Sequence, residues 1–110
     1  MKNEFVKYEQ ALALKELGFD EPCLGYYDEG GNLYTEMVEV LKAPLYQQAF
    51  RWFREKHNLQ AEMVFSEKPD RFYYYIGNMV TGDMDRGINM SYEEAEQACL
   101  DKLIEIVNNK

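Results

Sequence analysis

Histidine, cysteine and basic residues are scarce in this chain, and each scarcity closes off a class of chemistry. A single histidine, His57, excludes most zinc and Ser-His-Asp arrangements. The two cysteines, Cys23 and Cys99, are too few for a disulfide scaffold, and neither has a CxxC or histidine partner at metal spacing. Lys and Arg number 12 against 20 Asp and Glu, a net charge of −8. That balance disfavours unspecific attraction to nucleic acid or to an anionic membrane. No apolar run approaches 18 residues, and the N-terminal MKNEFVKYEQ lacks the apolar stretch of a signal peptide. The expectation is a soluble cytoplasmic protein with reduced, buried thiols.

Motif chemistry is equally sparse. GxGxxG, GxxxxGK[ST], GxSxG, HExxH and SxxK are all missing. Asp83, Asp85, Gly87, Asn89, Ser91 and Glu94 fall near the ligand positions of a calcium loop. However, Ile88 stands where the sharp turn needs glycine, and Gly87 offers no side-chain oxygen. No metal and no cofactor is therefore expected. Asp20, Glu21, Asp28 and Glu29 cluster near residues 20–29, but nothing fixes a pair at a working separation. No catalytic residue is assigned, and the chain reads as a non-enzyme.

What is present is a folding composition. The 110 residues match the size of one domain (1–110), 46% are apolar and 15% aromatic, with nine tyrosines. A chain of this length buries roughly 65% of its unfolded surface. Residues 5–19 read as a helix stopped by Gly18. The segments 23–27 and 33–37 read as strands joined by a turn at Asp28-Glu-Gly-Gly-Asn32. Residues 36–41 are open between strand and helix.

Pro44 fits the first turn of a second helix running to His57. The segment 59–65 alternates as a strand, 66–70 turns, and the aromatic 71–80 is the strongest strand. A loop is expected over 81–87, with 88–90 a short extension. Ser91, with Glu94 three residues on, opens a last helix to about Val107. The fold class is α+β in the order α-β-β-α-β-β-α, an antiparallel sheet of about four strands with helices mainly on one face. Its expected core is Leu12, Tyr46, Phe50, Phe53, Tyr74, Ile76, Cys99, Leu103 and Ile106.

Within PLYQQAFRWFREKHN (44–58), helical spacing puts Ala49, Phe50, Phe53 and His57 within about 60° of Tyr46. Arg51 and Arg54 take the opposite arc with Gln47, Gln48, Glu55 and Asn58. Aromatics and arginines are therefore segregated, unlike a surface for single-stranded nucleic acid. His57 and Lys56 suit the helix C-terminus as cations. YEQA (8–11), YQQA (46–49) and YEEA (92–95) share helix-start chemistry and not a structural repeat.

Along 71–76, Phe72, Tyr74 and Ile76 share one strand face, and Tyr73 and Tyr75 the other. Helices covering one face would leave those two tyrosines exposed, a composition suited to protein interfaces. Tyr73, Tyr75, Arg51 and Arg54 are the candidate binding residues.

YEQALALKELGFDEPCLGYY (8–27), APLYQQAFRWFREKHNL (43–59) and YEEAEQACLDKLIEIV (92–107) together resemble small uncharacterised proteins of bacteria and their phages or prophages. The resemblance covers roughly half the chain and implies a mobile-element or accessory context without a known activity. The expected function is a small acidic, non-catalytic module that binds a protein partner or a second copy of itself. Its acidity would also suit mimicry of nucleic acid on a basic partner. The rival expectation is a small-molecule-binding domain or hydrolase using Asp/Glu and Tyr near the first hairpin, with Tyr26, Tyr27, Asp28 and His57 as its residues.

Overall fold

The computed structural model describes residues 4–35, 41–67 and 70–110. The elements are α1 (Tyr8–Glu16), β1 (Gly25–Tyr27), β2 (Leu33–Tyr34), β3 (Leu41–Ala43), α2 (Tyr46–His57), β4 (Leu59–Glu67), β5 (Asp70–Asn78), β6 (Met84–Asn89) and α3 (Tyr92–Asn108). The α+β class holds, but the strand count does not. Each half of the chain carries a third strand, so the expected four-stranded sheet is replaced by two antiparallel sheets, ordered β2-β1-β3 and β4-β5-β6. Most of the connection expected over 36–41 and part of the turn expected over 66–70 lie outside the described residues. The chain divides into two compact units, residues 1–49 and 50–110, with the division inside α2.

In the first unit α1 is shorter than expected, because Phe5 pairs in an isolated bridge with Leu45 instead of entering the helix. The helix ends as the sequence requires. Gly18 takes φ +99°, and Gly18 and Phe19 donate their N–H groups to the carbonyls of Lys15 and Leu14 at 3.1 and 2.9 Å. These bonds satisfy the last-turn carbonyls in the way a left-handed glycine permits. Leu12 is not core: it is 41% exposed, while Gln10, Ala11 and Leu14 are buried. Leu12 stands roughly 160° from Leu14 around the axis, so one face cannot bury both.

Gln10 is tolerated inside because its Oε1 accepts from the Tyr46 hydroxyl at 2.8 Å and from the Lys7 N–H at 3.0 Å. Pro44 is fully buried ahead of α2, which starts at Tyr46, and its carbonyl accepts from the Val6 N–H at 2.9 Å. The β1–β2 turn forms as expected, with Gly31 at φ +79° and Asp28 at its centre.

In the second unit Asn58 ends α2 with φ +56°, a conformation asparagine tolerates, and β4 follows at once. β4 pairs with β5 over its whole length, and β5 pairs with β6 from Phe72↔Asn89 to Gly77↔Met84. The expected loop over 81–87 therefore becomes a strand from residue 84 onward.

α3 packs on this sheet. Its Ser91 cap accepts from the Glu94 N–H at 3.2 Å, while the Glu94 carboxylate reaches back to the Met90 N–H. Ala95, Cys99, Leu100, Leu103 and Ile104 form its buried stripe. Ile106 lies on the flank of that stripe and is half-buried, as is Tyr74, so both are poorer core residues than expected. Tyr46, Phe50, Phe53, Ile76, Cys99 and Leu103 are buried, as the helical and strand periods require.

The three Tyr-x-x-Ala segments each begin a helix. Their alanines, Ala11, Ala49 and Ala95, are all buried, whereas Tyr8 is half-buried and Tyr92 exposed. Close approach at the alanine is the shared requirement.

Candidate functional site

Two antiparallel neighbours directly opposite each other present their side chains to the same face of a sheet. The registers of β4, β5 and β6 therefore fix both faces. Ala61, Met63 and Phe65 share a face with Phe72, Tyr74 and Ile76, and this is the face that α3 covers. The Phe72 ring meets Tyr92 of α3 edge-on at 5.9 Å, and Ile76 is almost fully buried.

The opposite face carries three rows running across all three strands, Val64–Tyr73–Ile88, Glu62–Tyr75–Arg86 and Gln60–Gly77–Met84, and a Ser66–Arg71 pair follows on β4 and β5. Tyr73 and Tyr75 lie along its centre with rings nearly parallel, 6.3 Å apart and inclined by 24°. Met84 is 64% exposed, Ile88 61% and Val64 39%. An exposed cluster of Val, Ile, Met and two half-buried tyrosines is the composition of an interface core rather than of ordinary solvated surface.

Arg51 and Arg54 stand exposed on α2, on the side away from buried Trp52 and Phe53. The segregation read from the helical period is thus present. The four candidate residues occupy two elements, with the tyrosines on β5 and the arginines on α2. The sequence reading missed Val64 on β4, and it missed Met84, Arg86 and Ile88 because β6 carries its apolar residues on the outer side.

Asp20 and Asp28 near the first hairpin have structural roles. Asp28 Oδ1 accepts from the Gly30 and Asn32 N–H groups at 2.9 Å each, and Oδ2 accepts from Asn32 Nδ2 at 3.2 Å. Hydrogen bonds from the Asn32 backbone, and then from its side chain, hold the Asp28 carboxyl below its ordinary range. Tyr27 donates its hydroxyl to the Val6 carbonyl at 2.6 Å, and burial pushes its ionisation up. Asp20 is held down by its hydrogen bond and ion pair with Lys42 at 2.8 Å.

Burial pushes the Cys99 thiol up to about 12 and the half-buried Cys23 thiol to about 11, with Cys23 Sγ donating to the Glu21 carbonyl at 3.3 Å. Neither thiol carries appreciable thiolate near neutral pH. The calcium-like series does not form a loop, because Asp85, Gly87 and Asn89 lie along β6. Among the described residues no group of three or more His, Cys, Asp or Glu side chains could hold a metal ion, and no helix is long and apolar enough to cross a membrane.

His57 corrects a further expectation. Its ring meets Trp52 at 5.0 Å and Phe53 at 5.7 Å. Partial burial, with Lys110 adding repulsion, pushes its ionisation below the usual 6.5, so the neutral ring is favoured over a dipole-stabilised cation. The sign follows. Neutral His57 supports the fold above pH 6.5, and that support is lost as the pH falls through the folded-state value, because the unfolded chain takes up the proton first. Trp52 is the chain's one tryptophan, and protonated imidazole quenches indole emission. Trp52 fluorescence should therefore titrate with a midpoint below 6.5. His57→Gln should abolish the step and flatten the melting temperature across the same range. A midpoint above 6.5 would contradict the burial. Compared with known proteins, the chain matches no family model, no curated sequence and no solved structure.

Proposed function

We propose that this chain is a non-catalytic binding module that acts through protein–protein contact, with the uncovered face of the β4-β5-β6 sheet as its docking surface. The observation that carries the reading is the composition of that face: stacked Tyr73 and Tyr75 flanked by exposed Val64, Ile88 and Met84. Tyrosines supply large, stiff contact area at a modest entropic loss, and they anchor interfaces for that reason. Arg51 and Arg54 enter the proposal as exposed cations on a second element. The accessory, mobile-element context implied by the resemblance and the acidic composition agree with a module that works on other proteins.

The test separates docking from folding. Tyr73→Ala and Tyr75→Ala remove side chains from an open sheet face, so each should cost about 1 kcal/mol of stability or less. The melting transition should then stay close to that of the wild type. With the wild-type chain as bait, proteins retained from the cells that express it should be lost with the doubly substituted bait. The proposal is wrong if both substitutions unfold the chain, or if the retained set is unchanged.

A further inference from the structure

Resting on that reading of the sheet face, we infer that its occupant is a second copy of this chain, docked face to face about a two-fold axis parallel to β5. The inference comes from how the charges are arranged across the strands. Glu62 on β4 and Arg86 on β6 lie directly on either side of Tyr75. Both are exposed, and among the described residues neither makes an ion pair. Two strand spacings separate them by roughly 10 Å, too far for them to neutralise each other. Any partner covering this face must answer one negative charge on one edge strand and one positive charge on the other. Burying either without a counter-charge is strongly unfavourable.

The face answers itself. A two-fold axis running along the central strand brings β4 of one copy over β6 of the other and keeps position along the strands unchanged. Glu62 then meets Arg86 of the second copy, and Arg86 meets its Glu62. In the same register Val64 meets Ile88, Gln60 meets Met84, and Tyr73 and Tyr75 meet their own counterparts on the axis. The other in-plane two-fold, perpendicular to the strands, would place Glu62 on Glu62 and Arg86 on Arg86. Only the first arrangement pairs the two edge-strand charges, Glu62 with Arg86, while Arg71 at the end of the central strand falls opposite its own counterpart; such isologous contact is the commonest symmetry of homo-oligomers.

The chain carries a net −8, yet among the described strand residues this face holds Arg71 and Arg86 against Glu62, so the general acidity that keeps copies apart is absent where they would meet. Arg71 lies on the axis strand opposite its own counterpart, and that like-charge contact weakens the dimer. A face three strands wide falls short of the roughly 800 Å² per partner of a standard interface, so the dimer should be weak and concentration-dependent.

Sedimentation velocity from about 1 μM to about 1 mM covers the affinities of such an interface. The wild-type chain should pass from monomer to dimer across that range. Glu62→Arg places two arginines opposite each other at both contacts, and Arg86→Glu places two glutamates there, so each variant alone should lose self-affinity by at least about tenfold. Mixing the two variants in equal amounts restores both opposite-charge contacts and should return a one-to-one dimer. That recovery also shows that both variants are folded.

A wild-type chain that stays monomeric throughout overturns the self-docking inference. So does a dimer that either charge reversal leaves untouched, or a mixture that fails to recover. If the chain is monomeric while the bait still retains proteins in a Tyr73- and Tyr75-dependent way, the face docks a different protein and the broader proposal stands. If the chain is monomeric and retention ignores the tyrosines, both fail.

Discussion

Phe53→Ala should lower the stability of the chain by about 3–5 kcal/mol, the range for removing a fully buried aromatic ring. Phe53 has no accessible surface. Its ring meets Trp52 edge-on at 5.1 Å and His57 at 5.7 Å, so truncation opens a cavity and strips a wall from the imidazole at once. Against a typical total of about 5–15 kcal/mol, such a loss leaves a partly unfolded population near room temperature. Chemical denaturation at pH 7 measures it. Phe53→Leu, which keeps most of the volume, should cost clearly less. A second readout separates this account from generic core damage. With the ring gone, water reaches His57 and the Trp52 fluorescence midpoint should move back toward 6.5 in whatever population remains folded. A loss near zero would mean that the 3.6-residue period of α2 had been assigned to the wrong face.

That period is legible because it is strong and ends in clear signals. Tyr46, Phe50 and Phe53 repeat at helical spacing, Pro44 bars extension upstream, and Asn58 accepts the left-handed turn that ends the helix. Gly18 and Asp28 are legible for the same reason, since each performs local backbone chemistry that needs no tertiary context. The two-residue alternation of β5 is enough to separate Tyr73 and Tyr75 from Tyr74, and the candidate surface follows from it. α1 is harder. Leu12 and Leu14 are equally hydrophobic, and the face actually buried, with Ala11 and Leu14, also takes in the polar Gln10, which is satisfied by a hydrogen bond from Tyr46, 36 residues away in the chain. No local pattern contains that bond.

β6 is illegible for a sharper reason. Its hydrophobic pattern runs backwards. The side facing α3 carries Asp85, Gly87 and Asn89, and the open side carries Met84 and Ile88. Read alone, MDRGIN lacks an inward apolar face and passes for a loop. Its pairing with β5 supplies the specification, because a large ring on the neighbouring strand takes the space that a side chain on β6 would fill. The mismatch has a visible consequence: Asn89 Oδ1 is buried without a hydrogen-bond partner among the described residues. The residues that complete the candidate surface, Arg86 and Ile88 above all, therefore sit on the strand whose existence depends most on its partner. That is why only half of the surface is visible in the sequence.

Gly87→Ala tests the same point and should destabilise the chain by about 1–3 kcal/mol, the usual range for forced overpacking, and toward its upper end. A methyl group built on Gly87 would collide with Tyr74 Cε2 and lie 2.6 Å from Cζ, well inside van der Waals contact. The Tyr74 ring is half-buried. It lies on the covered face of the sheet, where burial already pushes its hydroxyl's ionisation up and where Cys99 and Lys102 of α3 are near enough to affect it. The ring and the glycine thus form one cross-strand unit, and their substitutions should not add. Tyr74→Leu alone removes ring area and should also destabilise. In that background Gly87→Ala should cost much less than it does in the wild type, because the atoms it strikes are gone. Tyr74→Phe keeps those ring carbons and should give no such relief. Thermal melts of the two singles, the double and the Phe control complete the cycle. Simple additivity between Tyr74→Leu and Gly87→Ala would show that the strain lies in the β6 backbone and not in this ring, and the Tyr74 ring would then no longer account for a strand that its own sequence does not announce.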